Sequence, residues 1–444
     1  MAIQPQPLFD TYANFLALNF NGLSAESPIV LDFLASFDPA VCAEDGYLAA
    51  RAFLKSYAGN ERTFNSYRTQ VERLLLWSVI VRRRPLLDLT RVDAEAYMEF
   101  CLNPPTSWIG PVIRGRFLES QSGSDAPDRA VNPNWRPFCV SVPKRVKKVA
   151  DETGTEVGLP PFVMSQGSTA QAFVSCSSFF EFSIAEGMSE FNPFRAIRQK
   201  SHYRQRSPAE STSKALTPLQ WDYVLETAEK MADEEPETHE RTLFITATMF
   251  SMYLRVSDLV GRPNWKPCMG DFRKDSHGNW WFHVVGKGNK SAKIGVRDDY
   301  IDQYLVRYRK HLKLPSLPSP GDTTPLLASF KGRAGLSDRH VRLLMQGVFD
   351  NTLARMVEAG WDDLEVDNLR VASTHWLRHT SATFDAPLRT PKDLQTDMRH
   401  SSLATTQDVY YNTHDDKRAY SVWIAPDSLD TLQAHCVTFF KLYR

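Results

Sequence analysis

Residues 375–384 read HWLRHTSATF, and this stretch organises the second half of the 444-residue chain. His375 and Arg378 are three residues apart, so in a helix they project from the same face. An imidazole that titrates near neutrality and a guanidinium that stays charged then meet at one surface. An HxxR pair alone is common by chance, so its meaning depends on what else the chain supplies.

Three further segments of the same half carry ionisable residues: MYLRVSDLVG (252–261), GKGNK (286–290) and MRHSSLATTQDVYYNTH (398–414). They supply, in this order, Arg255, Asp258, Lys287, His400, Tyr410 and Tyr411. Asp258 follows Arg255 by three residues and is placed to orient it. Each residue alone has an ordinary explanation in a surface, a turn or a core. Their order and local contexts carry the prediction.

The ordered set of Arg, hairpin Lys, HxxR, His and Tyr resembles the tyrosine recombinase (phage integrase) family. The resemblance runs in outline from about Tyr47 to Arg418 and is most specific at RVSDL, GKGNK, HWLRHTSAT and HSSLATTQ. It implies a fold that is mainly α with a small antiparallel β-sheet, made of a helical core-binding domain and an α+β catalytic domain. It also implies a site-specific recombinase that breaks and rejoins DNA strands.

Family roles carried to matching positions place the scissile phosphate between Arg255 and Arg378, with a further hydrogen bond from His400. Guanidiniums suit this task because each planar fork gives paired, charge-assisted hydrogen bonds to phosphate oxygens and does not deprotonate. The DNA is then cut without a metal or another cofactor.

The same resemblance makes Tyr410 the nucleophile, which leaves a 3′-phosphotyrosyl link. Such an ester keeps the energy of the broken bond, so rejoining needs no ATP. Lys287 would protonate the 5′-oxygen, and His375 would take or shuttle the tyrosine proton.

Two departures from the family pattern stand out. The family usually has Gly just before the second histidine, where this chain has Arg399; that residue alters the helix end or adds a phosphate contact. The family tyrosine usually lies nine residues after that histidine, where this chain has Val409. One inserted residue, Asp408, makes Tyr410 the match, and Tyr411 is the alternative.

The sequence divides into regions of different composition. Residues 103–162 are richer in Pro, Gly and Ser and predict an irregular insertion with little regular structure. The predicted regions are an N-terminal extension (1–45), a helical core-binding domain (46–200) that contains the insertion, a polar and basic linker (201–215), and a catalytic domain with a helical tail (216–444).

Local patterns predict several elements. Helices are expected at 29–37, from 63 onward after an Asn60 or Thr63 cap, at 93–101 after Thr90, at 168–186, and from Pro218 after a Thr217 cap. Aromatic and β-branched runs around a glycine-containing turn predict a hairpin of Trp280–Val285 and Ser291–Val296.

Charge is balanced, with 52 Lys plus Arg against 52 Asp plus Glu, which argues against a uniformly basic nucleic-acid binder. The basic and acidic residues are, however, concentrated in separate segments, so a balanced total is compatible with local basic surfaces. Between 195 and 206 there are basic residues and no acidic one, so we expect this run to contact the DNA backbone. Its members are Arg195, Arg198, Lys200, Arg204 and Arg206.

The chain has six scattered cysteines, no run of about 20 apolar residues and no signal-like N-terminus, so the expectation is a cytoplasmic protein without membrane contact. The family resemblance implies that it is bacterial and nucleoid-associated. The resemblance implies double-stranded DNA as the partner, a homotetramer on two DNA sites, and a C-terminal segment from about Asp427 that packs on a neighbour or on its own domain; accessory proteins are possible. Integration, excision or transposition of a mobile element is the expected setting. A type IB topoisomerase-like enzyme and a catalytically inactive DNA-binding protein are the alternatives.

Overall fold

A computed structural model describes residues 3–18, 27–113, 115–119, 129–203, 214–286, 289–329 and 335–411, with positions 119, 129, 364, 408 and 411 described by backbone alone. The chain divides into two compact units, Met1–Glu210 and Ser211–Arg444. Among the described residues, no helix combines the length and apolar character that crossing a bilayer demands.

The first unit is helical. Its helices are α1 (Tyr12–Leu16), α2 (Pro28–Ala35), α3 (Ala43–Lys55), α4 (Glu61–Trp77), α5 (Arg91–Leu102), α6 (Lys144–Thr153) and α7 (Gln166–Ala185). Asn60 caps α4, because its side-chain oxygen accepts the Thr63 N–H at 3.1 Å. At α5, the Asp93 carboxylate accepts the Thr90 N–H at 2.8 Å. The sequence predicted the Thr90 cap, and for α4 it left Asn60 and Thr63 as alternatives, of which Asn60 is the cap.

Aromatic rings fill the core of this unit. Phe179 of α7 packs edge-on against Phe53 of α3 at 5.6 Å, and Phe180 lies 6.0 Å from Phe194. The N-terminal residues join this core, since the buried Glu72 carboxylate of α4 accepts the main-chain N–H groups of Leu8 and the next residue at 2.7 and 3.0 Å. The predicted core role of the α7 phenylalanines agrees with this packing.

The insertion is more regular than the sequence predicted. β1 (Ile109–Pro111) pairs in parallel with β4 (Phe138–Val140), and β2 (Phe117–Glu119) pairs antiparallel with β3 (Arg129–Val131). Three-residue strands leave no readable alternation, and their partners are distant in sequence. Arg73 of α4 holds the insertion by donating to the Pro137 carbonyl from Nε and Nη2 at 3.2 and 2.8 Å.

The second unit is α+β. Its longer helices are α8 (Pro218–Glu234), α9 (Pro236–Ser251), α13 (Asp338–Glu358), α14 (Asp363–Val371), α15 (Thr374–Asp385) and α16 (Pro391–Met398). The shorter ones are α10 (Val256–Val260), α11 (Asp298–Tyr300), α12 (Val306–His311) and α17 (Leu403–Thr406). The predicted hairpin is present as β6 (Trp280–Val285) and β7 (Ser291–Val296), and β5 (Phe272–Lys274) adds a third antiparallel strand that the sequence did not reveal.

A small apolar cluster lies beside the main core of this unit and positions the candidate site. It consists of Tyr253, Ala382, Ala386, Leu394, Met398 and Tyr410. Tyr253 lies in the turn between α9 and α10 with a left-handed φ of 50°. Tyr410 lies in the π-helical turn Gln407–Tyr411 that follows α17. Residues from three of the four motif segments, or from the helices that carry them, therefore meet at this cluster.

Candidate active site

Helix α15 presents three ionisable side chains on one face. His375, Arg378 and His379 occupy positions i, i+3 and i+4, which a helix brings to the same side. His375 at the start of the helix is exposed, His379 is half-buried, and Arg378 is only 1% exposed. The helix thus places ionisable side chains along a line from the surface into the interior of the unit.

The Arg378 guanidinium is fixed by the main chain. Nη1 donates to the carbonyl of Tyr253, and Nη2 donates to the carbonyl of Met398. Burial, together with the nearby Arg255 and Arg399, lowers the pKa of Arg378 to about 9. A guanidinium held between carbonyls in a positively charged surrounding is well placed to receive an anion.

Arg255 lies immediately before α10 and is half-buried. Its guanidinium has no hydrogen bond to another residue in the part of the chain that the structure describes. Burial and then the charge of Arg399 lower the pKa of Arg255. Arg255 and Arg378 therefore form a cationic pair, and the Arg255 guanidinium has hydrogen-bond donors that no described residue uses.

The fully buried carboxylate of Asp258 balances part of this charge. It accepts the main-chain N–H of Arg255 at 2.9 Å, pairs with Arg262 at 3.0 Å, and forms two hydrogen bonds with Arg399. Burial by itself raises the pKa of Asp258, but the bonds from Arg399, from the Arg255 main chain and from Arg262 hold it below its ordinary value. Asp258 thus orients the backbone at Arg255 and the side chains of two other arginines.

Tyr410 is the buried phenol of the site, with 2% of its surface exposed. Its hydroxyl lies 2.8 Å from Nδ1 of His379, and its ring lies parallel to the His400 ring at 6.2 Å. Burial raises the pKa of Tyr410 to about 12, although Arg378 and Arg255 act in the opposite direction. The hydroxyl is protonated at neutral pH and needs a proton acceptor before it can act as a nucleophile.

The histidines of the site are neutral at pH 7. Burial, followed by nearby positive groups, lowers the pKa values of His379 and His400 to about 4, and the pKa of His375 is lowered in the same way. His400 is oriented by Thr406, whose hydroxyl oxygen lies 2.9 Å from its Nδ1. Neutral imidazoles each keep one nitrogen that can accept a proton.

The structure brings together most of the residues selected from the sequence, namely Arg255, Asp258, His375, Arg378, His400 and Tyr410. Lys287 lies outside the described residues, and the Tyr411 side chain does too. In the other unit, Arg195 and Arg198 are exposed, and Lys200 lies over the Phe173 ring at 5.5 Å. Arg204 and Arg206 lie outside the described residues.

Sequence reasoning missed two features of the site. His379 contacts the phenol directly, and its signal was present as the i+4 spacing from His375. Lys214 and Arg342 face His375 closely enough to lower its pKa, and no motif contains them. Within the described ranges, no group of three or more His, Cys, Asp or Glu side chains is arranged to hold a metal ion.

Comparison with known proteins gives evidence for the fold alone. No protein-family model and no curated protein matches the chain. Among solved structures, the XerH site-specific recombinase bound to a palindromic difH substrate, in a post-cleavage complex, matches with a TM-score of 0.50 and 14% identity over 95% of this chain and 99% of that one.

Two further structures align with lower scores. A lambda integrase dimer bound to a COC′ core site has a TM-score of 0.42 and 15% identity, covering 81% of this chain and 76% of that one. The Tn1549 transposon integrase with transposon right end DNA has a TM-score of 0.44 and 14% identity, covering 85% and 99%.

The chain has the tyrosine recombinase fold. This conclusion rests on the XerH alignment, which spans nearly the whole of both chains. The fold class predicted from the sequence, mainly α with a small antiparallel sheet in the second unit, is confirmed.

Proposed function

We propose that this protein is a site-specific DNA recombinase that cuts and rejoins strands through a 3′-phosphotyrosyl intermediate on Tyr410, without metal or ATP. One observation carries the proposal: a buried phenol lies beside two guanidiniums, one of which has no hydrogen-bond partner among the described residues. A nucleophile and an anion-binding pair in one place are what transfer of a phosphodiester to tyrosine requires.

The scissile phosphate binds between Arg255 and Arg378. In the free protein, burial and then the charge of Arg399 lower the pKa of Arg255, and burial, followed by Arg255 and Arg399, lowers the pKa of Arg378, so like charges are held together and repel one another. A phosphodiester relieves that repulsion, and the pentavalent transition state, which carries more negative charge, relieves it further. His400 adds a hydrogen bond from the ring nitrogen that does not face Thr406.

The leaving 5′-oxygen takes its proton from Lys287. In the sequence, Lys287 stands between the strands β6 and β7, and a lysine ammonium suits this role because it is a point charge with three protons to donate. Rejoining is the reverse: the 5′-hydroxyl attacks the phosphotyrosyl phosphorus and Tyr410 leaves.

The proposed partner is duplex DNA, to which each unit contributes contacts. The XerH structure is that of a recombinase on its difH substrate, and the same fold supports an equivalent use here. We assign the core-binding role to the first unit, through Arg195, Arg198 and Lys200 together with Arg204 and Arg206, and the catalytic role to the second. Four copies of the protein would join two DNA sites, and the reaction would integrate, excise or transpose a mobile element.

Covalent trapping on nicked duplexes tests the proposal. The DNA is taken from the regions that flank the encoding gene, since mobile elements commonly carry their own ends. The wild-type chain and the Tyr411→Phe variant should form a protein–DNA adduct, and Tyr410→Phe should form none. An adduct with Tyr410→Phe, or none with the wild type, contradicts the proposal.

Paired sites then separate recombination from relaxation. A plasmid with two cleaved sites should yield exchanged products. Relaxation of supercoils without exchange would instead identify a topoisomerase-like enzyme.

A further inference from the structure

The hydroxyl of Tyr410 leads into a chain of two imidazoles. It lies 2.8 Å from Nδ1 of His379, and Nε2 of His379 lies 3.0 Å from Nε2 of His375. We propose that His379 is the catalytic base that takes the Tyr410 proton, and that His375 passes this proton to solvent. The inference rests on the proposed function and adds to it a residue that the sequence motifs did not select.

The burial of the three groups gives the chain a direction. Tyr410 is buried, His379 is half-buried and His375 is exposed, so the path runs from the interior of the unit to water. The two rings meet edge to face at 4.4 Å with an interplanar angle of 85°, which allows a nitrogen-to-nitrogen hydrogen bond. Their spacing of four residues on α15 fixes this geometry in the helix itself.

The relay requires one tautomer. Nδ1 of His379 is unprotonated and accepts the phenol proton, while its Nε2–H donates to the unprotonated Nε2 of His375. When Tyr410 attacks, its Oη–P bond forms and its proton moves to Nδ1. The Nε2 proton of His379 moves to His375, which becomes the imidazolium, and the P–O5′ bond breaks as O5′ takes a proton from Lys287. Both proton transfers reverse on rejoining.

Charged groups around the relay set its direction of response to DNA. Arg378 and Lys214 face His379, and Arg378, Arg255, Lys214 and Arg342 face His375. In the free protein, burial and these positive charges oppose protonation of both rings. A bound phosphodiester places negative charge among these cations. DNA binding therefore raises the pKa values of His379 and His375, so that they accept a proton more readily at the step in which Tyr410 is deprotonated.

The tautomer can be measured without DNA. Protein labelled with ¹⁵N in its histidine rings, compared with the His379→Asn variant for assignment, should show a protonated Nε2 and an unprotonated Nδ1 for His379 at pH 7. A protonated Nδ1 at this position overturns the relay, because that nitrogen then cannot accept the phenol proton.

Cleavage kinetics provide the second test. The amide oxygen of His379→Asn can still accept the Tyr410 hydrogen bond but cannot hold a proton. Adduct formation on the nicked duplexes should slow by about 100-fold, while DNA binding is retained. The rate of adduct formation by His379→Asn should rise tenfold per pH unit above neutrality, because hydroxide must then remove the Tyr410 proton. The wild-type rate should be independent of pH in this range. His375→Asn should lose less, since His379 remains in contact with the phenol.

A 5′-phosphorothiolate duplex separates this role from that of the leaving-group acid, because a thiolate departs without a proton. The substrate should leave the His379→Asn defect in place. Full restoration of the rate, or an unimpaired His379→Asn variant on ordinary DNA, overturns the relay while the proposed function stands. Absence of any adduct with the wild-type chain overturns both.

Discussion

Arg399 has a backbone conformation that favours glycine, the residue usual at this position in the family that the sequence resembles. It ends helix α16 with a left-handed φ of 56°, a conformation that L side chains adopt at a cost and glycine adopts freely. In this chain the cost is offset by the two hydrogen bonds of the Arg399 guanidinium to the buried Asp258 carboxylate. Arg399 thus combines an unfavourable backbone conformation with an ion pair near Arg255 and Arg378, the arginines proposed to bind phosphate.

Two substitutions at this position separate the backbone strain from the ion pair. Both Arg399→Gly and Arg399→Ala remove the pair with Asp258, but only alanine keeps the side chain in the left-handed region. We expect both to lower the free energy of unfolding, with the alanine variant about 1 kcal/mol less stable than the glycine variant. Urea denaturation of the two proteins measures the difference. Equal stabilities would show that position 399 is not strained.

Arg255 and Arg378, the two arginines proposed to bind phosphate, should respond differently to the same substitution. Arg255→Gln removes a guanidinium without a hydrogen-bond partner in the described structure, so cleavage should fall by about 10²- to 10³-fold with little change in stability. Arg378→Gln also frees the carbonyls of Tyr253 and Met398, and should cost about 1–3 kcal/mol of stability as well. Adduct formation and thermal unfolding, measured on both variants, give the comparison. Equal stability losses would contradict these contacts.

Some residue contacts of the candidate site could be predicted from the sequence and others could not. The three-residue spacing of His375 and Arg378 predicts their shared face because helix geometry alone fixes it. The contact between His379 and Tyr410 joins positions 31 residues apart, and it depends on where the π-helical turn places the phenol. No local pattern contains that information. The pairing of Arg399 with Asp258 spans 141 residues and was hidden for the same reason.

Among the secondary-structure elements, those defined by local sequence were predicted correctly, whereas strands defined by distant partners were missed. The hairpin β6–β7 has the predicted bounds because its alternation and its turn lie in one continuous segment. The third strand, β5, has three residues and is recognisable only by its partner, with Phe272 opposite Phe282. The insertion strands were missed in the same way, since β1 and β4 are nearly 30 residues apart.

Partly buried ionic contacts attach the hairpin to the site helices. At the end of β7, Arg297 donates to Asp385 of α15, which also accepts from the Tyr253 hydroxyl. Arg389 joins that hydroxyl at 3.0 Å to Asp397 of α16 at 2.6 Å. Strand β7 is therefore attached to α15 and α16, the two helices whose apolar residues cluster with Tyr410.

The first turn of α8 offers a prediction at this scale. The Thr217 hydroxyl accepts the Gln220 N–H at 3.2 Å, and the Gln220 side chain accepts the Thr217 N–H at 3.0 Å. Thr217→Ala should destabilise the protein by about 1 kcal/mol, because it leaves a helix N–H unsatisfied, whereas Thr217→Ser should retain nearly all of the stability. Denaturant midpoints measure both changes. A serine variant as unstable as the alanine variant would mean that the cap does not matter here.

For the whole molecule, the histidines of the site make stability depend on pH. His379 and His400 have pKa values of about 4 in the folded protein, below the value near 6.5 of an unfolded chain. Between these values the unfolded state binds more protons, so the free energy of unfolding falls as pH is lowered from about 6.5 towards 4. Allowing for partial solvent screening, we expect the two histidines to account for about 2 kcal/mol of this loss.

Denaturation at steps of pH tests this linkage. The double variant His379→Asn with His400→Asn should show a flatter fall in stability over this range than the wild type. His202→Asn, an exposed histidine of the other unit, should keep the wild-type slope. Parallel curves for the double variant and the wild type would show that these imidazoles are not held neutral by the fold.

The zero net charge of the chain hides a surface that should bind DNA through salt-sensitive contacts. Each phosphate neutralised by a Lys or Arg releases counterions, so the logarithm of affinity falls with the logarithm of salt concentration by about 0.9 per contact. Arg195 and Arg198 are exposed on the first unit, and their joint replacement by Gln should reduce that slope by about 2. Lys230→Gln, within the acidic run of α8 where Lys230 pairs with Glu226, should leave the slope unchanged. Fluorescence anisotropy on a labelled duplex between 50 and about 300 mM salt gives the slopes, and an unaltered slope in the double variant would place the DNA on another surface.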